Sequence, residues 1–247
     1  MTIEQLLHSS LLSTTEAQIL LSFVLNLDRS YLFAHSKDVL NTKTIEKFKA
    51  FEVRRLNKEP LQYITNKQQF YGLEFYVDQS VLIPRPETEE LVDKVLKFAQ
   101  NLSKNSHFLD VGTGSGNIII SLAKNLGQVR LTATDISPAS LEIAKSNAKK
   151  HHVENKIEFV QGNLLEPFME KEKFDVIVAN LPYISEPMYQ VLEPHIKEYE
   201  PKLALVGGAT GVELYNQLFD QAKSVLTSNG VIFYELDGRV YSTVGLS

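Results

Sequence analysis

The sequence predicts an α/β protein: a mostly parallel sheet with helices on both faces, preceded by a small N-terminal helical bundle and a β-hairpin. Three observations carry this. After residue 105, apolar runs of strand length alternate with helix-length amphipathic stretches, the pattern of parallel strands joined by crossover helices. Before residue 67 the apolar spacing is helical throughout. The 247 residues, 43% hydrophobic and 22% charged with only 12 Gly and 9 Pro, suit one large α/β domain or a catalytic domain with a small companion. That composition excludes collagen, coiled coil and disorder.

The N-terminal bundle is read over residues 1–66. Ser13-Thr14-Thr15-Glu16 is a capping box, in which a hydroxyl and a carboxylate satisfy the free amides at a helix start, and the apolar run Ala17 to Leu27 follows it. A second helix starts from Asn41, with Ile45, Phe48, Val53 and Leu56 near helical spacing. Lys58-Glu59-Pro60 ends the bundle, because proline disfavours helical geometry at the residue before it. Residues 67–84 form a hairpin linker: Phe70 to Ile83 is aromatic and β-branched, broken at Gly72 and at Asp78-Gln79-Ser80. Pro84-Arg85-Pro86 then opens a helix, with Glu87, Glu89 and Glu90 in its first turn and Leu91, Val92, Val95, Leu96 and Phe98 on its buried side.

Residues 85–247 make up the second domain. Strands are expected at Phe108–Val111, Val129–Thr134, Ile157–Val160, Phe174–Ala179 and Val231–Leu236, with helices from Asn117, from Pro138 and near Gly211–Leu226. In such a sheet, ligands sit outside the carboxyl ends of the strands where strand order reverses.

Charge and composition narrow the function. Lys+Arg 25 against Asp+Glu 30 gives a net charge of −5, which argues against a partner held mainly through phosphates. Zero cysteines exclude disulfides, thiolate zinc sites and a cysteine nucleophile, and fit a reducing compartment. The first residues lack the basic region of a signal peptide, and Ile19–Leu27 is too short to span a bilayer, so a cytoplasmic protein without membrane association is expected. No metal site is expected. His151-His152 reads as a helix end beside Lys149 and Lys150, and Glu193, His195, Glu198 and Glu200 show no ligand spacing across Pro194 and Pro201.

Asp110-Val111-Gly112-Thr113-Gly114-Ser115-Gly116 runs from a buried strand into a helix, and its glycines let backbone turn sharply and approach a ligand. A dinucleotide fingerprint starting at Gly112 would need Gly or Ala where Asn117 stands, and the Walker lysine is absent. The spacing instead resembles motif I of class I S-adenosylmethionine-dependent methyltransferases. By that resemblance Gly112, Thr113, Gly114, Ser115 and Gly116 cradle the amino-acid part of S-adenosyl-L-methionine. Asp135 closes the second strand and can accept both ribose hydroxyls, while Ser137 is free to cap the helix at Pro138. Asn163 sits where related enzymes hold the adenine, with Leu164 over its face.

The buried strand Phe174–Ala179 ends in Asn180-Leu181-Pro182-Tyr183, which resembles the Asn-Pro-Pro-Tyr motif of enzymes that methylate planar, weakly nucleophilic nitrogens. An amide nitrogen has its lone pair delocalised, so its attack on a methyl group needs acceptors for both hydrogens and tight positioning. Asn180 Oδ1 can take one hydrogen and the Leu181 carbonyl the other, while Tyr183 offers a ring face. Asn180 and Tyr183 are the expected catalytic residues. Asn180, Leu181, Pro182 and Tyr183 form the expected substrate site, and Asn180 also borders the cofactor. Leu181 departs from the family proline, although Pro182 still biases it toward extended geometry; Leu181→Pro is expected to be neutral or activating.

Phe70-Tyr71-Gly72, Val81 through Glu89 with its Pro-Arg-Pro-Glu-Thr-Glu core, the glycine loop and Asn180–Tyr183 together resemble the protein-(glutamine-N5) methyltransferases of peptide-chain release factors. The resemblance covers about residues 12 to 236. It implies a class I methyltransferase fold, a release factor's Gly-Gly-Gln glutamine as substrate, residues 1–66 as a substrate-recognition domain, and a monomer that makes no direct nucleic-acid contact. Two other readings share parts of the pattern: a DNA adenine-N6 methyltransferase, and a truncated relative that only binds cofactor or release factor. The family's sheet continues by two further strands after the one at Val231–Leu236. Arg239 to Ser247 are too few for that pair, so the strand is expected to be left as an exposed apolar edge.

Overall fold

The computed structural model describes residues 1–169 and 173–244 and divides the chain into two compact units, Met1–Asn66 and Lys67–Ser247. The first holds helices α1 (Ile3–His8), α2 (Thr14–Leu25), α3 (Arg29–Ala34), α4 (Thr42–Leu56) and α5 (Leu61–Thr65). They enclose an apolar centre that includes Leu6, Leu20, Leu21, Leu32, Phe48 and Ile64. Ser13 caps α2 through a reciprocal box with Glu16, and Asn41 Oδ1 accepts the Thr44 N–H at 2.8 Å to open α4. Buried Glu52 accepts the Leu11 N–H at 3.0 Å and the Ser10 hydroxyl, tying the α1–α2 loop to α4.

The second unit begins with a hairpin smaller than the sequence suggests. Strands β1 (Gln68–Phe70) and β2 (Leu73–Phe75) pair antiparallel across Tyr71-Gly72, whose φ of 51° and 72° suit a tight hairpin turn. Val77 to Ile83 form no ladder. The ladder stops where Tyr76, just before them, turns to a side chain: Asn147 Oδ1 accepts the Tyr76 N–H at 2.8 Å and its Nδ2 donates to the Tyr76 carbonyl at 3.0 Å. The helix expected from Pro86 begins as a single 3₁₀ turn, Pro86–Thr88, and becomes α6 only at Glu89–Ala99.

The sheet alternates with helices as follows: β3 (His107–Val111), α7 (Asn117–Asn125), β4 (Arg130–Asp135), α8 (Pro138–Lys150), β5 (Ile157–Gln161) and β6 (Phe174–Ala179). An insertion follows, with β7 (Ile184–Ser185), α9 (Glu186–Val191), α10 (Pro194–Tyr199) and β8 (Val206–Gly208), before α11 (Glu213–Val225), β9 (Leu226–Leu236) and β10 (Arg239–Val244). The order across the main sheet is β10-β9-β6-β3-β4-β5, parallel except for β10. Side chains alternate between two apolar layers. Phe108, Val176 and Val178 face the layer of Leu91, Val95 and Ile119, whereas Leu109, Val111 and Ile177 face that of Leu218, Ala222 and Val225. Because the chain moves outward from β3 to β4 and β5 and then returns on the other side at β6, strand order reverses between β3 and β6. That is the point where ligand crevices open in such sheets.

The expected exposed edge at Val231–Leu236 is not found. Residues Arg239 to Val244 pair with it in register, from Arg239 against Leu236 to Val244 against Val231, and Val231, Ile232 and Phe233 are buried. The reason is a turn: Asp237 and Gly238, at φ 54° and 68°, make a two-residue hairpin turn that returns Arg239–Val244 along this strand. Lys94 Nζ donates to the Val240 carbonyl at 2.9 Å, and Tyr241 stacks on Tyr234 at 5.3 Å, fastening the strand in place. Residues 245–247, counted in the sequence expectation, lie outside the described residues.

Candidate functional site

A cavity of about 380 Å³ opens at the carboxyl ends of β3, β4 and β6. Its floor is the loop between β3 and α7. Gly112 and Thr113 donate to the Thr134 carbonyl at 2.9 and 3.0 Å, and the Thr113 hydroxyl donates to Asp110 Oδ2 at 2.7 Å, so the loop is bolted to both flanking strands. Burial pushes the Asp110 carboxyl up to about 7, and the nearby Asp135 charge adds to the rise. Gly112, Thr113, Gly114 and Ser115 line the cavity together with Asn117 and Ile118 at the positive end of the α7 dipole. Gly116 does not line it. Its φ is 80°, and a Cβ there would lie 2.8 Å from Ile120 Cδ1 and 3.2 Å from Ala144 Cβ, so this glycine serves the close packing of α7 and α8.

Asp135 stands on the wall next to the loop. Its Oδ2 accepts the Gly114 N–H and its Oδ1 the Ser137 N–H, both at 2.9 Å, while Ser137 itself caps α8 by accepting the Ser140 N–H at 3.2 Å. Each carboxylate oxygen has capacity for a second donor, which matches a vicinal diol. Burial raises the Asp135 pKa and backbone donors oppose the rise. Asn163 and Leu164 line the next stretch. Asn163 Nδ2 is held by Glu166 Oε1 at 2.8 Å, leaving Oδ1 as an acceptor, and Leu164 is buried at a left-handed φ of 49°. A bulky residue in that region is strained and persists only where its surroundings dictate it.

The opposite wall is Asn180, Leu181 and Pro182. Asn180 Nδ2 donates to Thr88 Oγ1 at 3.0 Å and to Glu235 Oε2 at 3.2 Å. The Leu181 N–H donates to the Tyr215 hydroxyl oxygen at 3.0 Å, and that hydroxyl shares its proton between the Leu181 carbonyl at 3.2 Å and the closer Glu235 carbonyl. Tyr183 is not part of the lining. It is half-buried within the field of Glu235 and Asp237, and burial first, then those charges, raise its pKa.

Several lining residues carried no site role in the sequence reading. Ser80, Val81, Pro84, Arg85 and Thr88 come from the segment before α6, and Pro201, Leu203 and Ala204 from the insertion after β6. Arg85 Nη2 donates to both oxygens of buried Glu200, at 2.6 and 2.7 Å, joining the two segments. Glu200 is thus an ion-pair partner, and His195 Nδ1 lies 3.3 Å from Glu193 Oε2. The signal for the first group was present in Pro-Arg-Pro-Glu-Thr-Glu, which sequence reasoning recognised without giving it a chemical task.

The cavity fits S-adenosylmethionine in kind. It offers a helix N-terminus for a carboxylate, a carboxylate for a diol, an amide oxygen for an exocyclic amine and apolar Ile118, Ile136 and Leu164 for a purine. Comparisons with known proteins agree. A methyltransferase domain family matches residues 102–236, and a PrmC N-terminal domain family matches residues 3–65. The release factor glutamine methyltransferase of Clostridium acetobutylicum is 39% identical over 222 residues, covering 90% of this chain and 78% of that protein. Its counterpart in Koribacter versatilis is 40% identical over 220 residues, covering 89% of this chain and 78% of the relative. The Dictyoglomus turgidum protein of the same name is 41% identical over 230 residues, covering 93% and 80% respectively.

Proposed function

The chain belongs to the release factor glutamine methyltransferase family, and from that premise we propose that it methylates the side-chain amide nitrogen of the glutamine in a release factor's Gly-Gly-Gln motif. S-adenosylmethionine is the cofactor, and when bound it supplies an electrophilic methyl group on a sulfonium. The observation that supports the reading is the pairing of two walls across one cavity: the Gly112–Ser115 loop with Asp135 on one side, and Asn180 with the Leu181 carbonyl on the other.

Asp135 accepts the ribose hydroxyls, Asn163 Oδ1 accepts the adenine amine, and Leu164 covers the ring. Gly112, Thr113, Gly114 and Ser115 pass close to the amino-acid part, with Gly116 setting the turn behind them. Asn180 Oδ1 accepts one hydrogen of the glutamine amide, since its own Nδ2 hydrogens are directed to Thr88 and Glu235. The Leu181 carbonyl accepts the other hydrogen, because the Tyr215 proton lies closer to Glu235. Pro182 bounds the amide, and Tyr183, next in the chain but outside the cavity lining, is assigned its flat face at the cavity's edge. Held by both of its hydrogens, the amide would lose much of its orientational entropy before reaction.

In this proposal the N-terminal unit recognises the release factor, and the protein acts as a cytoplasmic monomer on protein rather than on nucleic acid. The net charge of −5 and the absence of cysteine support that setting. The test is methyl transfer from tritiated cofactor to three samples: a release factor, the same factor with the motif glutamine replaced, and duplex DNA. Label on the first alone is expected. Label on DNA would move the assignment to an adenine-N6 methyltransferase, and no label with tight cofactor binding would leave a binding protein.

A further inference from the structure

We propose that Thr88 and Glu235 are positioning residues that fix which end of the Asn180 side chain faces the substrate, holding Nδ2 back and presenting Oδ1. The inference rests on Asn180 being the acceptor for the substrate amide. An asparagine amide has nearly the same shape in either of its two orientations, but the chemical consequences are opposite. Oδ1 toward the cavity accepts a substrate N–H. Nδ2 toward it sets donor against donor and would repel the group the site must hold.

Nothing in Asn180 itself chooses between these, so the choice falls to its neighbours. Burial, and the charges of Glu87 and Glu90, raise the Glu235 pKa while the Thr88 hydroxyl opposes the rise; in its ionised form the carboxylate can only accept, which makes Glu235 Oε2, 3.2 Å from Nδ2, the discriminating partner. Thr88 Oγ1 accepts the second Nδ2 hydrogen at 3.0 Å and turns its own proton toward Glu235, so the three side chains form a ring in which every donor has an acceptor. Thr88 is 1% and Glu235 3% exposed, so the two acceptors that hold Nδ2 are themselves closed to water. Turning Asn180 over would leave its oxygen against the Glu235 carboxylate in that buried ring. The two partners come from separate elements, the 3₁₀ turn before α6 and the end of β9. This also gives the threonine of Pro-Arg-Pro-Glu-Thr-Glu a task.

The test compares Thr88→Val, Thr88→Ser, Glu235→Gln, Asn180→Asp and the double variant Asn180→Asp/Glu235→Gln in the full chain. For methyl transfer to a release factor, Thr88→Val and Glu235→Gln should each lower kcat about tenfold or more, as expected for loss of a buried, charge-assisted contact. Cofactor Kd should stay within about twofold, and Thr88→Ser, which keeps the hydroxyl, should stay near the parent. The double variant exchanges amide and acid, restores the donor–acceptor pair with an oxygen facing the cavity, and should recover at least about fivefold over Asn180→Asp alone. Equal losses in Thr88→Val and Thr88→Ser, or a double variant no better than Asn180→Asp, would overturn the proposal. A readout independent of turnover is the Asn180 side-chain NH₂ resonance in nitrogen-15 spectra. Its protons should exchange slowly in the parent and fast in Glu235→Gln, and fast exchange in the parent would refute the clamp. If the parent transfers no methyl to a release factor while those protons stay protected, the functional reading fails and the clamp stands.

Discussion

The Leu181 Cδ2 atom lies 2.9 Å from the place a Cβ on Gly112 would occupy, so the loop after β6 rests directly on the loop between β3 and α7. The direction in which a Gly112 Cβ would project is therefore filled by protein, whereas the corresponding space at Gly114 is open, its nearest atom the Gly112 carbonyl at 4.0 Å. Both have positive φ, 72° and 54°.

This contrast separates two substitutions. Gly112→Ala should cost on the order of 1–3 kcal/mol in stability, from backbone strain and the displacement of Leu181. Gly114→Val should cost about 1 kcal/mol from strain but project its branch into the cavity and abolish S-adenosylmethionine binding. Thermal melts and calorimetry distinguish them. An unchanged affinity in Gly114→Val would place the cofactor elsewhere.

Asn180→Ala removes the preorganised acceptor and leaves the loop backbone in place. It should lower kcat on the order of a hundredfold, with cofactor affinity changed far less. Parent-level turnover on a release factor would remove Asn180 from the chemistry.

How much of this was readable beforehand follows from how local each signal is. Strand β6 is the plainest case: after Asp175 it reads as the apolar run Val176–Ala179, buried on both faces, and needs no knowledge of its partners. The division of labour between Asp135 and Ser137 is likewise local, spanning two residues. Thr88 and Glu235 stand 92 and 55 residues from Asn180, and no periodicity brings them together. The segment Val77–Ile83 has strand composition, but the polar partner of the neighbouring Tyr76 backbone is the side chain of Asn147, invisible in sequence. Helix α10 was missed because Pro194 and Pro201 read as breaks, whereas Pro194, like Pro187 in α9, occupies a first-turn position that proline tolerates. Asp237-Gly238 between alternating residues was a legible hairpin signal that counting toward a strand pair obscured.

The structure changes the expectation for Leu181→Pro. Proline keeps the carbonyl acceptor and presets φ, but it removes the N–H that donates to Tyr215 and the Cδ2 contact with Gly112. Turnover should stay within about threefold while stability falls by about 1–2 kcal/mol. Tyr215→Phe provides the cross-check. With Leu181 in place it leaves a buried N–H without an acceptor and should cost about 1–3 kcal/mol; in the Leu181→Pro background there is no such N–H to orphan, so the same change should cost less. Equal costs in both backgrounds would show that the Tyr215 hydroxyl acts only through Glu235.

Asp110 gives a pH signature. Its carboxyl is buried and held up to about 7 in the folded chain, against an ordinary value near 3.8. An acid whose folded pKa is raised binds its proton more tightly in the folded state than in the unfolded one. Between about pH 4 and 7 the Asp110 carboxyl therefore holds more of its proton in the folded chain than in the unfolded one, and its contribution to stability falls as pH rises through that window, levelling off above it. Asp110→Asn keeps an oxygen to accept from the Thr113 hydroxyl, which now donates to Asp110 Oδ2 at 2.7 Å, and removes the titration. Other carboxylates contribute equally to both proteins, so the diagnostic quantity is the difference between them. Denaturation at a series of pH values should show Asp110→Asn gaining on the parent steadily from about pH 4 to about pH 7 and holding a constant margin beyond. A margin independent of pH would mean that Asp110 is ionised throughout, and that the loop between β3 and α7 stabilises its charge more strongly than burial opposes it.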